Sequence, residues 1–126
     1  MTERTPLKPV VWMGSSLDEL RAFPEAVRSE LGYAVYAVQL GVHPPQAKRL
    51  KGDLSGIIEI VEDFDGETYR AIYTVKLQGV VYVLHAFQKK SKRGIATPRR
   101  DIELIKARYA QARRHYTAIY TRKEER

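Results

Sequence analysis

The residues of this sequence that could do chemistry are mainly cations in its second half. A strand-like segment contains Arg70, a later segment contains His85 and Phe87, and a basic run follows at once. The run comprises Lys89, Lys90, Lys92 and Arg93. Arginine binds phosphate through a fork of N–H donors, lysine offers a compact positive charge, and an aromatic ring can stack on a base. The set predicts a phosphodiester site, although strand-end cations can also serve only to keep an edge soluble.

The three histidines are candidates for proton carriers or metal ligands. His85 is a candidate proton carrier, because an unperturbed histidine titrates near neutral pH. A histidine in the middle of a strand is also commonly a packed, hydrogen-bonded residue, so both interpretations of His85 stay open. His43 and His115 lack partners at metal-ligand spacing, and we expect them to be ordinary surface or packing residues.

A group of acidic residues offers a different chemistry, because paired carboxylates can hold the hard cations of metal-dependent nucleases. The group consists of Glu59, Glu62, Asp63, Asp65 and Glu67. Counted from Asp63, the last position of a calcium loop would be Thr74, where glutamate is required. A solvated hairpin is the simpler interpretation, and we expect neither a metal nor a cofactor.

The composition of the whole chain favours a polyanionic partner. Its 126 residues carry a formal net charge of +7, and cations that neutralise phosphates release bound counterions. The absence of cysteine excludes a disulfide framework and a thiol nucleophile, and it favours a reducing compartment. No segment has the apolar run of a signal peptide or a membrane span. We therefore expect a cytoplasmic protein with no membrane partner.

Hydrophobic periodicity and turn residues predict the elements that position these side chains. The predicted elements are a short strand at residues 10–13, a helix from a Ser16–Glu19 capping box, a helix at 24–40, an exposed basic connection at 43–52, strands at 56–62, 68–77 and 80–88, and a helix from Thr97-Pro98. The fold class is α+β, in which amino-terminal helices pack on a small antiparallel sheet, formed by the first strand and a three-stranded meander, and a carboxyl-terminal helix follows. We expect one domain over residues 1–126, with a core from about 10 to 116 and a basic tail.

The last helix has two faces of different character. Its apolar face carries Ile102, Ile105, Tyr109, Ala112 and Tyr116. Its other face carries Arg99, Arg100, Lys106, Arg108, Arg113 and Arg114, and we expect this face to be solvated.

The turn residues predict which side chains share a face of the sheet. Asp65-Gly66 and Gln78-Gly79 predict two tight hairpins. If Leu77 pairs with Val80, counting outward places Arg70, His85, Phe87 and Lys89 on one face. The opposite face would then collect Ala71, Tyr73, Val75, Leu77, Tyr82, Leu84 and Ala86. A slip of one residue would move Arg70 and its neighbours to different faces.

Two strings and a helix start carry a resemblance to a known family. The strings are Tyr69-Arg70-Ala71-Ile72-Tyr73 and Leu84-His85-Ala86-Phe87-Gln88-Lys89-Lys90-Ser91, and Thr97-Pro98 begins the helix. With their order along the chain, they resemble the phage-derived HigB-like branch of the RelE toxin superfamily. The likeness runs from about residue 10 to residue 116. The resemblance implies a RelE-like fold, an antiparallel sheet with helices packed against it.

The resemblance also implies an activity. Members are toxins of type II toxin-antitoxin systems that cut messenger RNA, usually in the decoding site of the ribosome, by attack of the RNA 2′-hydroxyl on its own phosphate without a metal. Arg70 would then stabilise the pentavalent phosphate, and Lys89 or Lys90 would assist proton transfer or neutralise the same charge. His85 remains a possible catalytic residue, so the general base is left open. Candidate RNA-binding residues are Lys48, Lys51, Phe87, Lys92, Arg93 and Arg99.

The partners implied are messenger RNA on the ribosome and a cognate antitoxin protein, which we expect to be of the helix-turn-helix type and to cover the basic surface. The alternative is a noncatalytic nucleic-acid-binding or ribosome-associated module that uses the same cations only to hold phosphates. Substitution of Arg70 or Lys89 separates the two, because a catalyst would lose cleavage by orders of magnitude and a binder would weaken modestly.

Overall fold

The computed structural model describes residues 6–89 and 97–121, and the following account is limited to them. The strands are β1 (Val10–Trp12), β2 (Ala47–Arg49), β3 (Ile57–Phe64), β4 (Glu67–Thr74) and β5 (Val81–Lys89), and the helices are α1 (Ser16–Arg21), α2 (Glu25–Gln39) and α3 (Arg99–Tyr116). A short 3₁₀ turn, Gly52–Leu54, precedes β3, and a π-helical turn, Thr117–Thr121, extends α3. No helix in the described part of the chain is long and apolar enough to cross a membrane.

The five strands form one mixed sheet in the order β1-β5-β4-β3-β2. Strands β3, β4 and β5 form the antiparallel meander that the sequence predicts, and the α+β class is confirmed. Two features differ from the predicted small antiparallel sheet. β2 lies antiparallel to β3 as an edge strand, inside the segment expected to be only a connection, and β1 lies parallel to β5. Parallel pairing needs a long crossover, which here contains α1, α2 and three strands.

Helices cover both faces of the sheet. On one face, α2 buries Val27, Leu31 and Val38 against strand residues that include Tyr73. On the other face, α3 packs Ile105 and Ala112 against residues that include Ile72, Tyr82 and Leu84. These contacts follow the helical spacing of apolar residues in both helices, and burial of such side chains is the main force that holds a helix on a sheet.

The helix ends show how local sequence positions α1 and α2. Pro24 precedes α2, and Gly41 follows it with a φ of 89°, as a residue that closes a helix in the left-handed region. The predicted Ser16–Glu19 capping box is wrong. The residue before α1 is Ser15, whose hydroxyl donates to the Glu19 carboxylate, while the Ser16 hydroxyl is buried and donates to the carbonyl of Val83.

The β3–β4 hairpin has the predicted turn, because Asp65 and Gly66 both have positive φ and Phe64 pairs with Glu67. The β4–β5 hairpin agrees only in its outer part. Arg70 pairs with Phe87 as predicted, and Ile72 with His85. Nearer the turn, the register shifts by one residue and Tyr73 pairs with Val83.

The shift places Leu84 as an extra residue in β5, in the manner of a β-bulge. A bulge changes the face of the sheet on which alternate side chains lie, so residues of β5 before and after Leu84 follow opposite alternations. Arg70, His85, Phe87 and Lys89 therefore lie on one face as predicted. The prediction that Tyr82 and Leu84 share a face with Ala71 and Tyr73 was wrong, because both pack under α3.

Candidate active site

The centre of the candidate site is an ion pair between Arg70 on β4 and Glu59 on β3. Glu59 pairs with Ile72 and Arg70 pairs with Val61, so the two side chains are diagonal neighbours on the α3 face of the sheet. Arg70 Nη1 lies 2.6 Å from Glu59 Oε2. The Glu59 side chain is 2% exposed and that of Arg70 is 13% exposed. A charge buried this deeply requires a partner, so each residue depends on the other for its place in the fold.

Two polar atoms of this ion pair have unused hydrogen-bonding capacity. Although the charged groups are in contact, Glu59 Oε2 and Arg70 Nε make no well-aligned hydrogen bond to any described residue. Buried polar atoms are normally satisfied, and exceptions are concentrated at sites that bind or react. Both atoms are shielded from solvent, and Glu59 Oε2 is the atom that Arg70 Nη1 contacts, so a ligand would reach them only by displacing part of this ion pair.

Two lysines flank the ion pair on neighbouring strands. Lys48 on β2 pairs with Glu59 across the sheet, and its Nζ lies 4.0 Å from Glu59 Oε1 while the side chain is 66% exposed. Lys89 at the end of β5 is buried. Desolvation lowers the pKa of Lys89, the positive charges of Arg70 and Lys48 lower it further, and Glu59 partly offsets them. Lys89 is therefore a better proton donor than an ordinary lysine.

Phe87 adds an aromatic ring beside these charges. It pairs with Arg70 across β4 and β5, and its side chain is half-buried. The ring stacks on His85, with the ring centroids 5.0 Å apart and an angle of 18° between the planes. A partly exposed aromatic ring next to an arginine offers a stacking surface for a base beside a donor group for a phosphate.

His85 lies beneath this surface, in a buried network that joins α1, β5 and α3. Its Nδ1 is 3.0 Å from Glu19 Oε1, and its Nε2 is 2.7 Å from Asp101 Oδ1. Glu19 also accepts hydrogen bonds from the Ala86 N–H and from Arg108. Both ring nitrogens of His85 are thus occupied by carboxylates of the protein.

Arg108 is the residue of this network that the sequence interpretation placed wrongly. It was expected on a solvated face of α3, but it is buried and donates to Glu19, to the Leu84 carbonyl and to Ser15. Its position could have been predicted, because Arg108 lies between Ile105 and Ala112 at helical spacing on the buried face.

Glu59 was also misjudged. It was grouped with the acids of a solvated hairpin, whereas it is buried and paired. The Asp65-Gly66 turn contained the signal, because counting outward from it along both strands brings Glu59 beside Arg70. Among the described residues, no group of three or more His, Cys, Asp or Glu side chains could hold a metal ion.

The structure thus brings together four of the predicted site residues, Arg70, Lys89, Phe87 and Lys48. Lys51 and Arg99 are exposed and do not lie on strands: Lys51 is in the connection between β2 and β3, and Arg99 is the first residue of α3. Lys90, Lys92 and Arg93 lie outside the described residues. What this arrangement can do chemically is to hold one phosphate, supply a proton and stack one base.

The sequence family described as phage-derived protein, Gp49-like (DUF891), matches residues 18–110, well over half of the chain. The chain belongs to the Gp49-like family. The resemblance to the phage-derived HigB-like branch of the RelE superfamily is confirmed by this match. The matched residues include every described member of the site, from Glu19 on α1 to Arg108 on α3.

The fold of this Gp49-like chain is shared with a solved structure. A chain of the RelBE2 toxin-antitoxin complex from Mycobacterium tuberculosis aligns with a TM-score of 0.50 at 14% identity, over 67% of this chain and 100% of the other. At this identity the likeness shows the fold, which is RelE-like. A comparison with curated proteins found no match.

Proposed function

We propose that this protein is the toxin of a type II toxin-antitoxin pair, and that it acts as a metal-independent endoribonuclease on messenger RNA in the decoding site of the ribosome. Membership of the Gp49-like family and the RelE-like fold support the proposal. The observation that carries it is the buried ion pair of Arg70 and Glu59, with Lys89 and Phe87 beside it on one sheet face. Its place of action is the cytoplasm.

The reaction needs a nucleophile that the RNA itself supplies. Glu59 accepts the proton of the 2′-hydroxyl, and the 2′-oxygen forms a bond to the neighbouring phosphorus. Arg70 stabilises the negative charge of the pentavalent phosphate, and its Nε, which has no hydrogen-bond acceptor among the described residues, becomes a donor to that phosphate once Arg70 leaves Glu59. The bond from phosphorus to the 5′-oxygen breaks as Lys89 protonates that oxygen. The products are a 2′,3′-cyclic phosphate and a 5′-hydroxyl end.

The electrostatics of the site fit these roles. In the proposed reaction, Arg70 leaves the Glu59 carboxylate and binds the phosphate. The phosphate carries more negative charge in the transition state than in the ground state, so Arg70 stabilises the transition state more strongly and thereby accelerates cleavage. Lys89 has a lowered pKa, because burial and the charge of Arg70 disfavour its protonated form. A lysine of lowered pKa gives up its proton more readily at neutral pH.

The remaining cations extend the surface for RNA. Lys48 is exposed at the edge of the site, and Lys51 and Arg99 are exposed farther along the chain. With Lys92 and Arg93 they are proposed to hold phosphates outside the cleavage position, while Lys90 is proposed, as an alternative to Lys89, to assist proton transfer or to neutralise the charge of the cleaved phosphate. The net charge of +7 supports this role, because cations attract RNA regardless of its sequence. The proposed antitoxin is a helix-turn-helix protein that neutralises this basic surface.

The test is induced expression in bacteria of the wild type, of Arg70→Ala and of the control Arg28→Ala, an exposed arginine on α2. The 5′ ends of a translated reporter messenger are mapped, with an untranslated copy beside it. We expect new ends only on the translated copy, about 100-fold fewer of them with Arg70→Ala, and no change with Arg28→Ala. An intact messenger in cells that contain soluble wild type would overturn the proposal in favour of the noncatalytic binding module.

A further inference from the structure

We propose that His85 is a positioning residue, and that Glu19 and Asp101 hold its ring so that Phe87 presents a fixed surface to one RNA base. The inference rests on the proposed function, because it names how the same site receives its substrate. It assigns roles in substrate binding to Glu19, Asp101 and Arg108, none of which was a site residue in the sequence interpretation.

The ring of His85 is fixed at both of its nitrogens. Nδ1 meets Glu19 Oε1 at 3.0 Å and Nε2 meets Asp101 Oδ1 at 2.7 Å, and the side chain is only 6% exposed. Each ring nitrogen of His85 therefore has a carboxylate oxygen of the protein within hydrogen-bond distance. Rotation about either side-chain torsion would break at least one of these charge-assisted bonds.

The carboxylate on the α1 side is itself held in place. Glu19 Oε1 accepts hydrogen bonds from the Ala86 N–H at 3.1 Å and from Arg108 Nη1 at 3.1 Å. Glu19 Oε2 accepts from Arg108 Nη2 at 3.2 Å and from the Ser15 hydroxyl at 3.0 Å. The Glu19 carboxylate is therefore held in a fixed position by hydrogen bonds from Ser15, β5 and α3. Because it is fixed, it determines the position of the His85 ring.

The carboxylate on the other side comes from the first turn of α3. Asp101 follows Pro98, which precedes the helix, and its backbone N–H bonds to the Pro98 carbonyl. The contact between Asp101 and His85 therefore fixes the start of α3 against β5. The histidine receives one carboxylate from each helix that flanks the strand.

Phe87 receives its orientation from this histidine. The two rings stack at 5.0 Å with an angle of 18°, so the imidazole covers one face of the phenyl ring. Phe87 remains partly exposed and pairs with Arg70 on the neighbouring strand. A base stacked on the exposed part of Phe87 would have its phosphate beside Arg70, because paired residues of antiparallel strands are near neighbours.

The geometry favours positioning over proton transfer by His85. A general base or acid must come within hydrogen-bond reach of the reacting oxygen, and both nitrogens of His85 already meet protein carboxylates. Glu59 and Lys89 supply acceptor and donor without it.

The experiment uses single-stranded RNA oligonucleotides that are 2′-O-methylated throughout, so that they cannot be cleaved, and that contain one 2-aminopurine. Binding and fluorescence are measured for the wild type, Phe87→Leu, His85→Asn and the double variant, with folding checked by circular dichroism. We expect wild type to quench the fluorescence by stacking, Phe87→Leu to bind about ten-fold more weakly, and His85→Asn to reproduce most of that loss. The double variant should lose no more than Phe87→Leu alone.

Three further variants supply a rescue of the aromatic ring, a histidine control and a substitute for His85→Asn. Phe87→Trp retains an aromatic face and should restore the quenching. His115→Asn removes a histidine that bonds to Tyr82 at the other end of α3, and it should leave the quenching unchanged. Asp101→Ala removes one of the two carboxylates at His85 and replaces His85→Asn in the comparison if that variant does not fold. Its quenching should also fall.

Wild-type quenching in His85→Asn and Asp101→Ala, or losses that multiply in the double variant, would overturn the inference. Absence of quenching by wild type would also overturn it. A folded wild type that quenches but does not cut messenger in cells would overturn the proposed nuclease and leave the positioning role intact. A wild type that cuts messenger while His85→Asn quenches normally would do the reverse.

Discussion

Arg70 Nη1 and Glu59 Oε2 are 2.6 Å apart on neighbouring strands, and the carboxylate is almost completely buried. The pair differs from exposed ion pairs such as that of Lys106 with Asp53. An exposed pair contributes little to stability, whereas breaking a buried one leaves a charge without a partner. In the proposed reaction, this contact contributes both to the stability of the fold and to cleavage of the RNA.

The first prediction concerns this carboxylate. Glu59→Gln keeps the shape of the side chain but removes the negative charge, so it can no longer take the 2′-hydroxyl proton. We expect cleavage of a ribosome-bound messenger to fall at least about 100-fold, because general-base catalysis contributes on that scale. Rates would be measured with purified protein and ribosomes, with Glu67→Gln as the control for an exposed glutamate of the same sheet. A wild-type rate in folded Glu59→Gln would assign the proton to another group.

The second prediction concerns Glu19 and pH. Burial by itself raises the pKa of Glu19, but hydrogen bonds from Arg108, the Ala86 N–H and His85 outweigh burial and set the pKa below the ordinary value of 4.5. A lowered pKa stabilises the fold above the pKa of the unfolded state, and this stabilisation is lost as the pH falls through the folded-state pKa. Glu19→Gln should lower the free energy of unfolding by about 2 kcal/mol at pH 7 and by less in acid.

Denaturant unfolding between pH 3 and pH 7 would measure this difference. Glu62→Gln is the matched control, because burial and the charges of Glu30 and Asp63 raise the pKa of Glu62. A raised carboxylate pKa means that the charged form opposes folding at neutral pH. Glu62→Gln should therefore stabilise the protein at pH 7. Equal effects of the two substitutions, at every pH, would contradict the network around Glu19.

The third prediction concerns Gly14, which lies against the Arg108 guanidinium. Gly14 has a φ of 54°, and a Cβ at this position would lie 2.6 Å from Arg108 Nε. Gly14→Ala should therefore lower the free energy of unfolding by about 2 kcal/mol, through backbone strain and displacement of the arginine. Gly32→Ala is the control, since Gly32 lies within α2 and its Cβ would meet nothing within 4 Å. Alanine is the better helix former, so thermal melts should show Gly32→Ala to be up to about 1 kcal/mol more stable. A stable Gly14→Ala protein would contradict the position of Arg108.

The strand pairing near Arg70 shows how far the sequence could be followed. Two turn dipeptides and alternating apolar residues predict the meander, and they place Arg70, His85, Phe87 and Lys89 on one face. The assignment held because the register is correct from Ile72 outward. It failed for Tyr82 and Leu84, because Leu84 is the extra residue of the bulge and Tyr82 lies between the bulge and the turn, where the register is shifted. A single extra residue leaves no mark in a pattern of apolar side chains that are buried on both faces.

By itself, the sequence determined the order and kind of most elements, the basic charge of the chain, and the family resemblance that the Gp49-like match confirms. These properties depend on local spacing, turn chemistry and composition. Only the tertiary structure decided that Glu59 is buried against Arg70, and that Arg108, Glu19 and Asp101 meet around His85. Glu19, His85 and Arg108 are far apart in sequence, and the charges of all these residues predict exposure. Helical spacing can place Arg108 on a buried face, and the turn can place Glu59 beside Arg70, but burial of these charges becomes favourable only when the fold brings each one to an opposite charge.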